Sequence, residues 1–394
     1  MKVCFETFGC RLNKAEALQM EAEYLANGWE VTTKHSDANL FVIRGCSVTS
    51  RAQRECERLI GHLKRHYPSA GIKVCGCLKS SDSSPTTNRP GNQTIEQPNN
   101  RAILPLPVRT ARAYLKVQDG CAGKCTFCIV PKFRGESKSE NFTFLLDKAK
   151  RFINAGYHEI VVTGCNLSLY ASEGKRLPDL LSALGCLSAD CRIRLGSVEP
   201  GACALETIHA MAGAPNVCRF LHLPVQSGSN KVLLAMRRPY AAKDVEEAAD
   251  LAVKLMPELG LGCDLMAGFP GESEFDFMST KGLLKRLPFS NAHVFPYSNR
   301  PGTLAAGFPS QIPRDMRSAR AHALDETARS KRHAFARSFV GKTVEVVVED
   351  EKSGRGWTGE YLPCELIGDM PARKSIARVF VTKTKNDLLV GRIR

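Results

Sequence analysis

No stretch of this chain approaches the eighteen or so consecutive apolar residues that a membrane-spanning helix needs. Its first residues, Met1-Lys2-Val3-Cys4, run into a strand-like pattern and lack the basic-then-apolar order of a signal segment. The expectation is a cytoplasmic protein with no membrane association. A reducing compartment argues against a disulfide framework, although the chain carries 16 cysteines. Clustered cysteines there turn toward metal or catalytic roles. Scattered ones such as Cys186, Cys191, Cys203, Cys218 and Cys263 read as small buried hydrophobes. Acidic residues are also in deficit, 40 against 55 basic, for a net charge of +15. That balance suits a polyanionic partner, nucleic acid first, with solubility as the plainer alternative. The remaining composition is globular: 43% apolar and 24% charged over 394 residues, enough for two or three domains with their own cores.

Strand-like stretches at Lys2–Thr7, Ala38–Ile43 and Gly71–Cys75 alternate with helical ones at Asn13–Asn27 and Arg51–His66, an order that implies a parallel sheet. From Lys79 to Asn100 the sequence KSSDSSPTTNRPGNQTIEQPNN is almost free of apolar residues and reads as a linker or loop. Strand-helix alternation resumes with candidate strands Tyr114–Val117, Glu159–Thr163, Arg192–Leu195, Arg219–Leu223, Gly262–Met266 and Ala292–Phe295. Helices such as Phe142–Ala155 and Ala242–Leu255 lie between them. Six such units argue for an open or partial α/β barrel with its site at the carboxyl ends of the strands. A basic helix, Arg314–Arg337, then leads to alternating stretches at Thr343–Glu349 and Ala377–Thr382, a small all-β module. The domain expectation is 1–78, a linker over 79–106, a barrel over 107–312, a connecting helix over 313–338 and the β module over 339–394.

Within Q-D-G-C-A-G-K-C-T-F-C-I-V-P, Cys121, Cys125 and Cys128 form C-x-x-x-C-x-x-C just after the first barrel strand, and Gly120 and Gly123 permit the tight turns that wrap three thiolates around one object. A structural zinc site wants four nitrogen or sulfur ligands. The next histidine is His158 and the next cysteine Cys165, so no close fourth ligand is present. Three thiolates suit a 4Fe-4S cluster that keeps one iron open, with zinc and a chance cluster as the rival readings. In the first domain Cys10, Cys46 and Cys77 each follow one of the three expected strands and are each preceded by glycine. The carboxyl ends of parallel strands share one edge, so these loops can converge on a second three-cysteine site; three unrelated buried thiols is the alternative. Cys4 and Cys75 lie within strands and read as core, and Cys56 as a helix residue that packs or faces solvent.

C-x-x-x-C-x-x-C at this position resembles the signature of the radical S-adenosylmethionine enzymes. Its pairing with the first domain resembles the methylthiotransferases over nearly the whole chain. The stretches L-H-L-P-V-Q-S-G-S-N (221–230), A-M-R-R-P-Y (235–240), G-C-D-L-M-A-G-F-P-G-E (262–272) and H-V-F-P-Y-S-N-R-P-G-T (293–303) look like family blocks. G-C-R-L-N, G-C-S-V-T, Q-D-G-C and the last of those blocks are most similar to the branch acting on N(6)-threonylcarbamoyladenosine at position 37 of tRNA, beside the anticodon. Other branches act on N(6)-isopentenyladenosine in tRNA or on an aspartate of a ribosomal protein. A noncatalytic RNA-binding iron-sulfur protein is a reading of a different class.

The fold implied is α/β: an N-terminal parallel-sheet domain of Rossmann or flavodoxin-like type, a central partial (β/α)6 radical-SAM barrel and a C-terminal TRAM-like barrel. The cofactors implied are two 4Fe-4S clusters and S-adenosyl-L-methionine, with an external one-electron reductant and a tRNA anticodon stem-loop as partners; a monomer is consistent with the sequence. By the resemblance, the cluster on Cys121, Cys125 and Cys128 generates a 5′-deoxyadenosyl radical that takes hydrogen from carbon 2 of the adenine. The cluster on Cys10, Cys46 and Cys77 supplies sulfur methylated from a second S-adenosylmethionine. Gly164, Glu199, Gln226, Ser227, Asp264 and Gly268 are candidates for the S-adenosylmethionine pocket, since polar groups at strand ends face the site; holding a loop is the alternative for each. Arg134 is read as meeting a ligand carboxylate or an RNA phosphate, or as solvated. Arg314, Arg317, Arg320, Arg329, Lys331, Arg332 and Arg337 of the connecting helix, with Arg373, Lys374, Lys383 and Lys385, are candidate phosphate contacts. Two features depart from the family: the low-complexity stretch stands where it continues its first domain, and Arg44-Gly45-Cys46 lacks its polar residue before the second cysteine.

Overall fold

A central strand buried on both faces needs an unbroken apolar run, and Phe41-Val42-Ile43 supplies one, each residue fully buried. In the computed structural model, which describes residues 1–46, 50–78 and 110–394, this run lies in β3 (Leu40–Gly45). Around it are β1 (Lys2–Thr7), α1 (Arg11–Ala26), β2 (Glu30–Thr32), α2 (Ser50–His66) and β4 (Gly71–Gly76). The strands pair in parallel in the order β2-β1-β3-β4. Alternate residues of one strand point to opposite faces, so two cores form. Val3 and Val42 pack with Tyr24 and Met20 of α1 on one face, and Cys4, Phe41 and Ile43 pack with Leu59, Ile60 and Leu63 of α2 on the other. The sequence reading foresaw three strands. The fourth, β2, is three residues long, too short to carry a periodic signal.

The chain divides into two compact units, one taking Met1–Arg109 and Cys128–Gly135, the other Thr110–Phe127 and Glu136–Arg394. The first thus also holds α3 (Val130–Arg134). The low-complexity linker expected over 79–106 lies outside the described residues.

The second unit opens with β5 (Ala113–Lys116), a ribbon of β6 (Gln118–Asp119) and β7 (Lys138–Ser139), α4 (Phe142–Asn154), β8 (Glu159–Thr163) and a ribbon of β9 (Ala171–Ser172) and β10 (Lys175–Arg176). Next come α5 (Leu177–Gly185), β11 (Arg192–Arg194), α6 (Ala202–Gly213), β12 (Phe220–Gln226), α7 (Asn230–Ala235), α8 (Ala242–Leu255), β13 (Gly260–Ala267), α9 (Glu274–Arg286) and β14 (Phe289–Pro296). Two parallel three-stranded sheets, β5-β8-β11 and β12-β13-β14, are joined by parallel bridges at Ile193–Val217 and Ser197–His222. Six strands therefore follow one another in chain order, the open α/β barrel that the alternation implied. Helix α10 (Arg314–Arg337) leads to β15 (Thr343–Asp350), β16 (Arg355–Thr358), β17 (Pro363–Ile367), β18 (Ile376–Lys385) and β19 (Leu388–Ile393), which close into a five-stranded barrel. Its core is Val344, Val346, Val348, Cys364, Leu366, Val379, Val381 and Leu389.

The small barrel is tied to the amino ends of the large one's strands. Glu159, first residue of β8 and fully buried, accepts from Arg192 Nε (2.6 Å) and from Arg194 Nε (2.7 Å) and Nη2 (3.1 Å), with Arg112 at 3.7 Å. The same two arginines donate onward to the carbonyls of Glu345, Trp357, Thr358 and Gly359. Burial raises the Glu159 carboxyl, but Arg194, Arg192 and Arg112 outweigh it and hold the group below the usual carboxylate range. With the amino ends so engaged, chemistry falls to the carboxyl ends. Among the scattered cysteines, Cys191, Cys218 and Cys263 are buried as expected; Cys203 is half-buried, and Cys186 is exposed because it caps the end of α5. No helix among the described residues is long and apolar enough to cross a membrane.

Candidate functional site

The three strands that precede Cys10, Cys46 and Cys77 are neighbours, β1, β3 and β4, so their carboxyl ends deliver the three loops to one edge. Gly9 takes a left-handed φ of +86°, and a Cβ there would stand 2.7 Å from both Cβ and Sγ of Cys46. Only glycine permits that approach. Asn13, fully buried, clamps the loops together: its Nδ2 donates to Phe8 O (2.8 Å) and to Gly45 O (3.0 Å). Cys10 is exposed at the N-cap of α1 beside a cleft of about 370 Å³. Cys46 and Cys77 are buried. Burial raises the Cys77 thiol while Arg134 opposes that rise, and Cys10 adds to it, which places the two thiols within electrostatic reach.

Arg134, at the end of α3, serves this edge. Its Nε donates to Cys77 Sγ (3.2 Å), Nη1 to Glu16 (3.0 Å) and Nη2 to Asn13 Oδ1 (2.8 Å). It is neither solvated nor aimed at a phosphate, as the sequence reading had it, because Glu16 and Asn13 occupy its fork. Glu16 also pairs with Arg44, which fills the place of the family's polar residue before the second cysteine. The sequence reading missed Asn13 and Glu16, although G-C-R-L-N contained the first. Cys56 is fully buried and packs against the Cys46 backbone.

In the second unit, Gly123 N–H donates to Cys121 Sγ (3.3 Å), and Arg238 Nη1 donates to Cys125 Sγ (3.2 Å). Arg238 Nη2 reaches Glu199 (2.7 Å), whose other oxygen accepts from Asn166 Nδ2 (2.9 Å). Burial raises the Cys125 thiol and Arg238 opposes it. Arg238 lay within the quoted A-M-R-R-P-Y block but received no role there; only the fold brings it to Cys125, 113 positions away. Cys128 opens the segment assigned to the first unit.

The remaining pocket candidates separate. Gln226 is buried with φ +66°, and its Oε1 has no hydrogen-bond partner among the described residues. Gly268 has φ +75°, donates its N–H to Glu272 (3.0 Å) and leaves room for Arg317, whose Cγ would lie 2.2 Å from a Cβ. Gly164 packs against Gln118 and Leu167. Ser227 is fully buried and spends its hydroxyl on Thr280 Oγ1 (3.1 Å) and Ser229 N–H (3.1 Å), holding the loop. Asp264 sits between His222 Nε2 (3.2 Å) and His293 Nδ1 (3.3 Å).

Several basic candidates turn inward. Arg320 is buried on Glu272 (2.7 Å) and Glu274 (3.1 Å), Arg317 donates to Tyr297 O (2.5 Å), and Arg332 pairs with Asp387 (2.7 Å) and Asn291 (2.9 Å). These three bind the fold, because an amphipathic helix turns one face to the core whatever its charge. Arg329 pairs with Asp325, Lys331 caps Lys285 O, Lys385 pairs with Glu365, and Lys374 lies over the Tyr157 ring. Arg314, Arg337, Arg373 and Lys383 are exposed.

An iron-sulfur cluster wants thiolates gathered at one edge, limited solvent and N–H donors on the sulfurs. Cys77 in one unit and Cys121 with Cys125 in the other have such donors, Arg134, Gly123 and Arg238, and Cys46 and Cys77 are buried while Cys10 is exposed.

Residues 115–284 match the Radical SAM superfamily, and residues 2–95 match the Uncharacterized protein family UPF0004. The chain is 30% identical over 383 residues to the threonylcarbamoyladenosine tRNA methylthiotransferase MtaB of Aquifex aeolicus, covering 89% of this chain and 93% of that one. It is 28% identical to the tRNA-2-methylthio-N(6)-dimethylallyladenosine synthase of Methylacidiphilum infernorum, covering 93% and 92%. In fold it is similar to the radical S-adenosylmethionine methyltransferase TsrM of Kitasatospora setae, solved with cobalamin and a [4Fe-4S] cluster bound, with a TM-score of 0.56 at 14% identity over 77% of this chain and 76% of that one. With its two domains matched in order and that identity sustained over nearly its whole length, the chain belongs to the radical S-adenosylmethionine methylthiotransferase family.

Proposed function

We propose that this enzyme converts N(6)-threonylcarbamoyladenosine, at position 37 beside the anticodon of tRNA, to its 2-methylthio derivative. The observation that carries the reading is the pair of cysteine sets at the carboxyl ends of two parallel sheets, each with an arginine donating to a sulfur. The names of relatives such as the Aquifex aeolicus enzyme support the substrate. We assign Cys121, Cys125 and Cys128 to one 4Fe-4S cluster and Cys10, Cys46 and Cys77 to a second. The domain assignment is 1–78 for the sulfur-carrying domain, 107–312 for the barrel, 313–338 for the connecting helix and 339–394 for a TRAM-like RNA-binding module.

A 4Fe-4S cluster held by Cys121, Cys125 and Cys128 would, with S-adenosylmethionine, supply the one-electron chemistry needed to replace hydrogen on an aromatic carbon that offers neither an acidic proton nor a leaving group. The chain's own residues prepare for it. Arg238 and Glu199 fix the position of Cys125, and Gln226 presents an unsatisfied oxygen at the end of β12. Gly268 and Glu272, locked by Arg320, shape the turn after β13. Asn13 and Arg134 hold the loops of the other cysteine set, and exposed Arg314, Arg337, Arg373 and Lys383 offer phosphate contacts for an anticodon stem-loop. The electron comes from an external reductant.

The test is expression in a strain that lacks the modification, with tRNA nucleosides analysed by mass spectrometry. A 2-methylthio-N(6)-threonylcarbamoyladenosine peak is expected. Its absence, or methylthiolation of N(6)-dimethylallyladenosine in its place, overturns the reading.

A further inference from the structure

Two arginines at the first cysteine edge share one carboxylate. Glu16 accepts from Arg134 Nη1 (3.0 Å) and Nη2 (3.1 Å) and also pairs with Arg44. All three side chains are nearly out of water, 7% exposed for Arg134, 9% for Arg44 and 12% for Glu16. One positive charge is therefore left over beside the loops of Cys10, Cys46 and Cys77, where solvent screens it poorly. We propose that this surplus, delivered to Cys77 Sγ by Arg134 Nε, raises the reduction potential of the cluster on those three cysteines, an inference that rests on the second cluster assigned above. Arg134 is a positioning residue that acts on the cluster through its cysteine ligand.

A cluster gains one negative charge when it is reduced, and its sulfurs carry part of that charge. An N–H donor on a ligating sulfur and a positive charge a few ångströms away both stabilise the more negative state, so reduction becomes easier. Arg134 supplies both, with Nε donating to Cys77 Sγ at 3.2 Å. Its fork is fixed in place. Nη2 also donates to Asn13 Oδ1 (2.8 Å), and Asn13 Nδ2 in turn holds the carbonyls of Phe8 and Gly45 in the loops that lead to Cys10 and Cys46. Arg44 makes no such contact with the set, since its Nη1 donates to Met20 Sδ (3.2 Å) and Cys75 Sγ (3.7 Å). It acts by charge, because a Glu16 carboxylate engaged by Arg44 cannot fully neutralise Arg134.

The other charged groups around this edge do not cancel the surplus. Arg11, Lys14 and Glu21 line the cleft beside Cys10, two positive charges against one negative. The arginine on Cys125 offers a contrast, for Arg238 is matched one to one by Glu199.

The test is a redox titration, followed by electron paramagnetic resonance, of the anaerobically reconstituted full chain carrying Cys121→Ala, Cys125→Ala and Cys128→Ala. That background should hold about four irons. Adding Arg134→Gln is expected to lower the ratio of reduced to oxidised cluster at a fixed potential by about 10- to 100-fold, the range for losing a charge-assisted hydrogen bond. At 59 mV per tenfold for one electron, the midpoint falls by about 60–120 mV. Arg134→Lys keeps the charge without the planar fork and should recover part of the shift. Arg44→Gln should lower the midpoint by less than Arg134→Gln, and Glu16→Gln should raise it. Opposed signs are what loss of packing would not produce. Should Arg134→Gln fail to take up iron, the signs for Arg44→Gln and Glu16→Gln decide the matter alone. Midpoints that move by less than about 20 mV, a factor of about two, overturn the inference. So do shifts of the same sign for Glu16→Gln and the arginine variants. A background chain that takes up no iron overturns the second cluster itself, and with it the function proposed above.

Discussion

Replacing Glu159 with glutamine removes one negative charge from a fully buried point where Arg192 and Arg194 both converge. The arginines keep their bonds to the carbonyls of Glu345, Trp357, Thr358 and Gly359, but two buried guanidinium charges lose their counterion. Breaking a buried pair from one side costs about 3–5 kcal/mol, because the uncompensated charge remains in low dielectric. An exposed pair costs roughly 0–1 kcal/mol. With a urea dependence of about 3 kcal/mol per M for a unit of this size, the unfolding midpoint falls by about 1–1.7 M. The chain has two tryptophans, and Trp357 lies at the junction, where its carbonyl accepts from Arg192. Its emission, followed in a Trp29→Phe background, reports the unfolding of this unit. A midpoint shift below about 0.3 M refutes the reasoning, since the network would then be energetically equivalent to a surface pair. The pH dependence has a definite sign. The Glu159 carboxyl is lower in the folded chain than in the unfolded, so its contribution is present above about pH 4.3 and is lost as the pH falls toward the folded value. The stability gap between wild type and Glu159→Gln therefore narrows on acidification below about pH 5. A gap that widens there contradicts the assignment.

Two further substitutions separate the cysteine sets. Gly9→Ala puts a Cβ 2.7 Å from the Cys46 thiol at a φ of +86°, so Cys46 moves and the first-domain set opens. Iron content after reconstitution should fall from about eight to about four per chain, and an unchanged content counts against a cluster there. Arg238→Lys keeps the charge but cannot reach both Cys125 and Glu199 with one planar fork. Reductive cleavage of S-adenosylmethionine should slow by about 10- to 100-fold with iron retained; a rate equal to wild type would show that Arg238 does not position this site.

Much of the architecture was written in local pattern. Glu159–Thr163 and Arg314–Arg337 could be read to the residue, because a short apolar run bounded by turns and a long helical period are both set by neighbours in sequence. The C-x-x-x-C-x-x-C spacing likewise announced itself, since three thiols within eight residues need no fold to be near one another. The convergence of Cys10, Cys46 and Cys77 was an inference from strand ends, and the sheet order β1-β3-β4 is what makes it a single edge. Charge was the poorest guide. Arg320 and Arg134 look like phosphate contacts in the sequence and are held by Glu272 and Glu16 in the fold. The partner of a long side chain depends on which helix face is buried, and a one-dimensional pattern does not name the group opposite.

The sequence by itself therefore determined the family, the alternation of strands and helices, and the identity of the clustered thiols, all of which depend on spacing along the chain. Only the tertiary structure decided that Arg238 meets Cys125, that Glu159 anchors the small barrel to the amino ends of the large one, and that His222, Asp264 and His293 face one another. Those contacts join residues tens to more than a hundred positions apart. Hydrogen bonds and ion pairs act over a few ångströms, so their partners exist only once the backbone has closed the distance.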